Sequence, residues 1–348
     1  YGLDYWDAFS PVVRYDTLRA VLAIAARRDL ELRQGDVPGT FLKARLSPDE
    51  HIYAAPPKGV NVPFGKVLKL NRAMYGLKQS SRAFWIKPSK KLFELGLKRS
   101  IRADLCSFHK DGPKDRTHVI SFVDDILTVG PKGNTLDHLE QHLTRLLDIK
   151  FADADWFLGM RTTRNVQARK IWLDQERHSL NVLKRFNVKS QKVRSRDAPF
   201  NKSTKFDPSE PTEEDIAFMA NKPCASVVGS VTYAAISTRP DTSSTVGVSS
   251  RHLKNPKKEH WTAAMHLLRY LSVTTNLKLE FSGDLDIVGW VDAAFNCDPY
   301  DCKSTTGCFL CFGRNPIVWK CKKQPGVPAR SSAEAECRVA AHYSLDLQ

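Results

Sequence analysis

At 348 residues, 42% hydrophobic and 9% aromatic, the chain is long enough for two or three domains with sizeable cores and is not a disordered tail. Its 53 Lys and Arg against 38 Asp and Glu, a formal net charge of +15, are spread along the whole length, which suits a long polyanion better than one small acidic ligand. Nucleic acid is therefore the leading partner, with plain solubility as the alternative; no stretch approaches the roughly 20 apolar residues of a transmembrane helix and no signal segment opens the chain, so an intracellular protein without a membrane partner is expected.

Residues 1–15 are aromatic-rich and irregular. Asp16 is expected to cap the helix that follows, where Leu18, Val21, Leu22 and Ala25 recur at helical spacing and Arg27 and Arg28 close the last turn. Residues 30–37 read as a strand ending near Asp36, with an aromatic, Phe41, five residues on. The segment 70–85 carries a Gly-centred turn with Lys78 and Arg82 beside aromatic rings. That arrangement suits phosphate and stacked bases, and equally a loop leading into an amphipathic helix.

The centre of the sequence is Ser121-Phe122-Val123-Asp124-Asp125-Ile126-Leu127. β-Branched and aromatic residues on both sides predict two short strands meeting at the Asp pair. Adjacent carboxylates repel and are costly to desolvate, and a divalent cation between them removes both objections; a solvated turn is the plain alternative. Asp36 offers a third carboxylate, about the number of protein anions that two metal ions on a triphosphate require.

Residues 134–148 predict a helix capped by Asn134, with Leu136, Leu139, Leu143, Leu146 and Leu147 on one core face. Residues 171–188 read as the start of a helical region, with Leu180, Leu183 and Phe186 apolar and Lys184, Arg185 and Lys189 available to a duplex backbone. Residues 192–223 read as a linker, residues 226–236 and 261–271 as helices, and Arg239 and Asp241 as a pair across a turn. Strands are expected at 287–291, 304–312 and 316–320, and a helix from Ser331. There Ser331 and Glu334 have capping-box spacing, while Glu336, about 200° further round, can face the sheet. Eight cysteines crowd toward the C-terminus. Cys308 and Cys311 have the spacing of half a zinc site but lie in an apolar strand pattern, so buried thiols are the better reading. The sequence starts without Met and ends in a helical pattern, as expected of a piece of something longer.

With these pieces placed, the chain resembles the reverse transcriptase of copia-type LTR retrotransposon polyproteins. The matching residues are Phe9-Ser10-Pro11-Val12-Val13, Gln34-x-Asp36-Val37-x-x-x-Phe41-Leu42, Tyr75-Gly76-Leu77-Lys78-Gln79, Phe122-Val123-Asp124-Asp125 and Phe157-Leu158-Gly159. Further on come Thr238-Arg239-Pro240-Asp241, His260-Trp261, Arg269-Tyr270-Leu271, Ser304-Thr305-Thr306-Gly307 and Ser331-Ser332-x-Glu334-Ala335-Glu336.

The resemblance implies an α+β fold: a right-hand polymerase palm, an antiparallel sheet with helices, with partial fingers and thumb, then a connection region and an incomplete ribonuclease H-like mixed sheet. The corresponding boundaries are 1–165 for fingers and palm, 166–205 for the thumb-like region and linker, 206–283 for the connection and 284–348 for the partial ribonuclease H-like part. It implies that Asp36, Asp124 and Asp125 hold two magnesium ions, or manganese in their place, for RNA- and DNA-directed DNA synthesis. Phe41 matches the aromatic that excludes a 2′-hydroxyl, against the plain reading of a core phenylalanine. Gln79 borders the nucleotide, and Lys78, Arg82, Phe157, Leu158 and Gly159 border template and primer. Asp292 and Glu336 match ribonuclease H carboxylates. The implied partners are a primed RNA or DNA template, deoxynucleoside triphosphates and other parts of the polyprotein, in a cytoplasmic particle and the nucleus.

Departures from the family pattern qualify this. The third ribonuclease H Asp would follow residue 348, Ala294 stands where a second acid is usual, and the basic fingers segment would precede Phe9, so no ribonuclease H turnover and weakened nucleotide affinity are expected. Thr40 replaces the usual Ala, and Pro88 falls in the helix after Trp85, where a proline costs about 3 kcal/mol unless the helix breaks and restarts at Ser89. The alternative function is a decayed nucleic-acid-binding fragment of the same polyprotein. A two-metal nuclease or integrase shares the three Asp but leaves Phe41 and the segments at 75–79 and 157–159 unexplained.

Overall fold

The computed structural model describes residues 8–100, 103–113, 115–188, 198–200 and 206–344. The chain divides into two compact units, Tyr1–Val21 with Arg28–Leu158, and Leu22–Arg27 with Gly159–Gln348. Both combine helices with antiparallel strands, an α+β arrangement.

Helix α1 (Tyr15–Arg28) leads into the first unit's β1 (Glu31–Asp36), a single 3-10 turn at Thr40–Lys43, a small hairpin of β2 (Tyr53–Ala54) with β3 (Leu68–Lys69), and α2 (Ser80–Glu94). Then come β4 (Lys98–Ser100), β5 (Asp104–Lys110), β6 (Thr117–Phe122), β7 (Asp125–Gly130), α3 (Asn134–Leu147), β8 (Lys150–Asp153) and β9 (Trp156–Phe157). The main sheet has the order β4-β5-β6-β7-β1-β8. Two strands far apart in sequence, β1 and β7, thus become neighbours at its centre, and Val119, Ile126, Leu139, Leu143 and Ile149 are buried in one apolar cluster. Burial of this kind, about 25 cal/mol per Å2 of apolar surface, holds the sheet against its helices.

Three local expectations change here. Asp16 is not the cap of α1: it lies in the first turn, where it pairs with Arg14 at 2.5 Å, and the buried Asp104 of β5 accepts the Arg14 N–H and the Thr17 hydroxyl, both at 2.8 Å. The N-cap of α3 is Gly133, so Asn134 is the first helical residue. Pro88 does not break α2, which runs through it. Proline leaves the preceding turn without an N–H donor, but Pro88 is buried on the same face as Phe84 and Leu92, four residues either side, so the packed ring offsets the lost hydrogen bond.

The second unit contains β10 (Met160–Asn165), β11 (Lys170–Asp174), α4 (Glu176–Arg185), α5 (Glu213–Met219), α6 (Cys224–Ser237), α7 (Pro240–Ser249), α8 (Lys258–Val273) and β12 (Leu279–Phe281). It ends in β13 (Ile287–Ala294), β14 (Thr305–Phe312), β15 (Asn315–Lys323) and α9 (Ser332–Tyr343). Residues 171–174, expected as helix, are strand: Ile171 and Leu173 are buried with alternation and pair with Phe281 and Leu279 of β12. Leu180 is 52% exposed, and Val182 takes its place in the core. The expected linker contains α5, started by a capping box in which Thr212 and Asp215 exchange hydrogen bonds.

Arg239 does pair with Asp241, through two hydrogen bonds of 3.0 and 2.7 Å, and also donates to the Thr274 carbonyl. The last sheet, expected to be mixed, has three antiparallel strands in the order β13-β14-β15 among the described residues. Cys308 and Cys311 are both buried in β14, where a register shift at Leu310/Cys311 interrupts strict alternation. Lys189 and residues 347–348 lie outside the described residues, and no described helix is long and apolar enough to cross a membrane.

Candidate active site

Asp36 ends β1, Asp125 opens β7, and the two are partners across the antiparallel ladder. Side chains at one such position have Cβ atoms about 4.5–5.5 Å apart. Asp124 sits in the two-residue turn that joins β6 to β7, closed by the Phe122–Asp125 pair. Its carbonyl accepts the Val37 N–H at 3.1 Å, which ties the turn to the end of β1. The other turn residue, Val123, has φ of 54°. That is where glycine is usual in such turns, and a β-branched residue there is held against its preference by the surrounding sheet.

Three carboxylates thus converge by backbone position, with Asp36 exposed and Asp124 and Asp125 half-buried. Burial, followed by the negative charges of Asp124 and Asp36, pushes the Asp125 carboxyl up to about 6. A hard divalent cation would relieve that repulsion, and oxygen donors of this kind fit magnesium. As placed, however, the three are neighbours rather than a formed ligand cage: among the described residues no group of three His, Cys, Asp or Glu has metal-holding spacing.

Two features that hold Asp36 in place were not singled out by sequence reasoning. A Cβ on Gly35 would lie 2.3 Å from Ile149 Cγ2 and 3.0 Å from the Phe151 ring, so only glycine lets β1 approach the chain entering β8 this closely. Thr40, the departure from the family pattern, is 1% exposed and donates from its hydroxyl to the Val37 carbonyl at 2.6 Å. A lone Gly between Gln34 and Asp36 was the available sequence signal for the first. The second needed the turn geometry.

Phe41, on the 3-10 turn, is partly buried against the core and meets Tyr75 edge-on, with ring centroids 4.8 Å apart. Its ring is thus both a core contact and a fixed wall. Lys78, Gln79 and Arg82 differ in their surroundings. Lys78 is exposed, Gln79 is 5% exposed at the N-cap of α2, and Arg82 donates to the Phe9 carbonyl at 3.1 Å.

Comparison with known proteins decides the family. Residues 1–197 match the family model described as "Reverse transcriptase (RNA-dependent DNA polymerase)". The chain belongs to the reverse transcriptase family. It is 38% identical over 346 residues to the retrovirus-related Pol polyprotein from transposon TNT 1-94 of Nicotiana tabacum, covering 96% of this chain and 25% of that protein. To the Pol polyproteins from transposons RE2 and RE1 of Arabidopsis thaliana it is 34% identical over 357 residues, covering the whole of this chain and 23% of each. These are copia-type elements. The chain spans about a quarter of the length of these relatives.

Two other residue groups complete the inventory of this reverse transcriptase segment. At 157–159, Phe157 is 3% exposed, and Leu158 and Gly159 have positive φ of 51° and 72°, a tight turn. A Cβ on Gly159 would fall 2.8 Å from the Tyr233 hydroxyl. In the last sheet, Asp292 is exposed on β13 and Glu336 on α9 reaches the next residue, accepting the Ala293 N–H at 3.1 Å. Glu334 instead serves the helix end, accepting from Arg330 N–H and pairing with Arg338 at 2.6 Å.

Proposed function

We propose that the first unit is an RNA- and DNA-directed DNA polymerase site in which Asp36, Asp124 and Asp125 hold two magnesium ions. The observation that carries this reading is the pairing of Asp36 with Asp125, beside Asp124 in its strained turn, with the Asp125 carboxyl raised by burial and then by its two acidic neighbours. The ions would supply activation of the primer 3′-hydroxyl and neutralisation of the departing pyrophosphate. The chain's own part is positional. The sheet fixes the carboxylates, and the Phe41 ring, braced by Tyr75, forms the wall against which a 2′-hydroxyl would clash. Lys78 and Gln79 border the nucleotide and template, and the 157–159 turn supports the primer end. The substrates are a primed RNA or DNA template and deoxynucleoside triphosphates. Asp292 and Glu336 are the carboxylates of a ribonuclease H-like part, in the setting of a longer Pol polyprotein.

The deciding experiment is extension of oligo(dT) on poly(rA) with dTTP and magnesium, by the parent chain and by Asp124→Asn and Asp125→Asn variants. Extension by the parent alone is expected. Salt-sensitive binding of the primed template with no extension would instead establish a decayed nucleic-acid binder, because binding through Lys and Arg needs no magnesium.

A further inference from the structure

Helix α2 has two faces of different chemistry. Phe84, Pro88 and Leu92 are buried, whereas Ala83, Ile86, Lys87, Lys90, Lys91 and Glu94, spaced at three and four residues, line an open groove of about 1140 Å3. The segment after the 3-10 turn and the C-terminal end of α3 complete its walls. Eight Lys and Arg line it against four Asp and Glu.

Half of those cations are already engaged: Lys43 with Asp148, Lys91 with Glu94, Arg72 with the Leu42 carbonyl and Arg82 with the Phe9 carbonyl. The other four, Arg45, Lys87, Lys90 and Arg145, are exposed, and no hydrogen bond or ion pair holds them among the described residues. Like charges gathered in one concavity repel unless a polyanion fills it. The shape selects among polyanions. The groove exceeds a usual small-molecule pocket of about 300–1,000 Å3. Lys87 and Lys90 lie about one turn apart on the same face of α2, with Arg45 and Arg145 on the facing walls, so a single strand running along the helix passes between cations on both sides. Ile86, 51% exposed and also lining the groove, adds an apolar surface for sugar or base.

We propose that this groove binds the phosphodiester backbone of a single-stranded nucleic acid, through Arg45, Lys87, Lys90 and Arg145. The proposal rests on the reading of this chain as template-binding and adds a strand path that the motif residues do not define.

The test is fluorescence anisotropy of a labelled 20-nucleotide strand, without nucleotide or magnesium, over a salt series, with Asp124→Asn in parallel. Each backbone phosphate neutralised contributes about 0.7 to the slope of log affinity against log salt for a single strand. Replacing the four cations by Ala should therefore lower the slope by about 2–3, and Lys87→Arg with Lys90→Arg should keep it. Tripolyphosphate, the small-anion alternative, should not displace the strand at equal charge concentration. An unchanged slope in the Ala variant, with its melting curve intact, overturns the proposal. So does loss of tripolyphosphate binding with strand binding kept, which would make the groove a small-polyphosphate site. A lowered slope with no primer extension by the parent would sink the polymerase reading and leave the groove standing.

Discussion

Gly35→Ala tests whether the position of Asp36 is set by close packing beneath β1. The added Cβ would stand 2.3 Å from Ile149 Cγ2, about 1.5 Å inside ordinary carbon contact. Ile149 is fully buried among Leu139, Leu143 and Leu147, and its branched carbon has no free rotamer to move into, so the sheet itself must shift. Overpacking of this kind costs about 1–3 kcal/mol, offset by about 0.5–1 kcal/mol from the smaller entropy lost by Ala than by Gly. The net loss, centred near 1 kcal/mol and at most about 2.5 kcal/mol, should lower the melting temperature by roughly 2–4 °C and at most about 10 °C. A displacement near 1 Å at Asp36 should also slow primer extension about 100-fold while leaving template binding intact. Ile149→Ala removes the closest colliding carbon and leaves only the Phe151 ring at 3.0 Å, so in that background Gly35→Ala should cost less, giving a coupling of about 1–2 kcal/mol in urea unfolding. Equal costs in both backgrounds, or a Gly35→Ala chain as stable as its parent, would refute the packing argument.

Other outcomes follow from the same coordinates. Val123→Gly should release a left-handed strain of about 1–2 kcal/mol against a Gly entropy cost of about 0.5–1 kcal/mol, so urea unfolding should show stability unchanged or slightly raised, with slower extension; a loss above about 1 kcal/mol would show that the Val123 side chain matters more than its backbone. Asp241→Ala should destabilise by about 3–5 kcal/mol, because the Arg239 guanidinium is 3% exposed and would be left as an unpaired buried charge. His118, held neutral by burial with Arg116, His109 and Arg28 nearby and only Asp115 opposing, has its pKa lowered to about 4. The native state therefore binds fewer protons than the unfolded chain between pH 6.5 and 4, so stability should fall by about 1–3 kcal/mol as pH drops through that window and level off below it. His118→Gln should flatten that part of a urea-midpoint profile, and an unaltered profile would count against it.

The hairpin at Asp124 and Asp125 was legible in the sequence because its strands are adjacent and both are rich in β-branched and aromatic residues, β7 being buried at every position after Asp125. Helices α3, α6 and α8 were legible for a local reason too, a continuous apolar period. What escaped depends on partners far along the chain. Residues 171–174 read as helix because Leu183 and Phe186 continue a helical period, whereas the strand pairing comes from Leu279 and Phe281, about 100 residues later. Asp104, 90 residues from Arg14, does the work assigned to Asp16. Pro88 looked costly within a helix because propensity counts the missing N–H and not the packed ring. Of the site residues, Asp36 and Asp125 are ladder partners, a register that the local pattern around either one does not specify, and nothing in the spacing of Phe41 indicated that Tyr75 braces it.

The ladder that brings Asp36 to Asp125 joins residues 89 apart in the chain. A site assembled across such a span cannot exist in a partly made sheet. During synthesis β1 must wait, unpaired on the side that will carry Asp125, until β7 has been made. A ribosome moving at about 5–20 residues per second imposes a delay of roughly 4–18 seconds between the two strands. Until it has passed, Asp36 stands without Asp124 and Asp125, and β1 lacks the strand that pairs with it through Asp125.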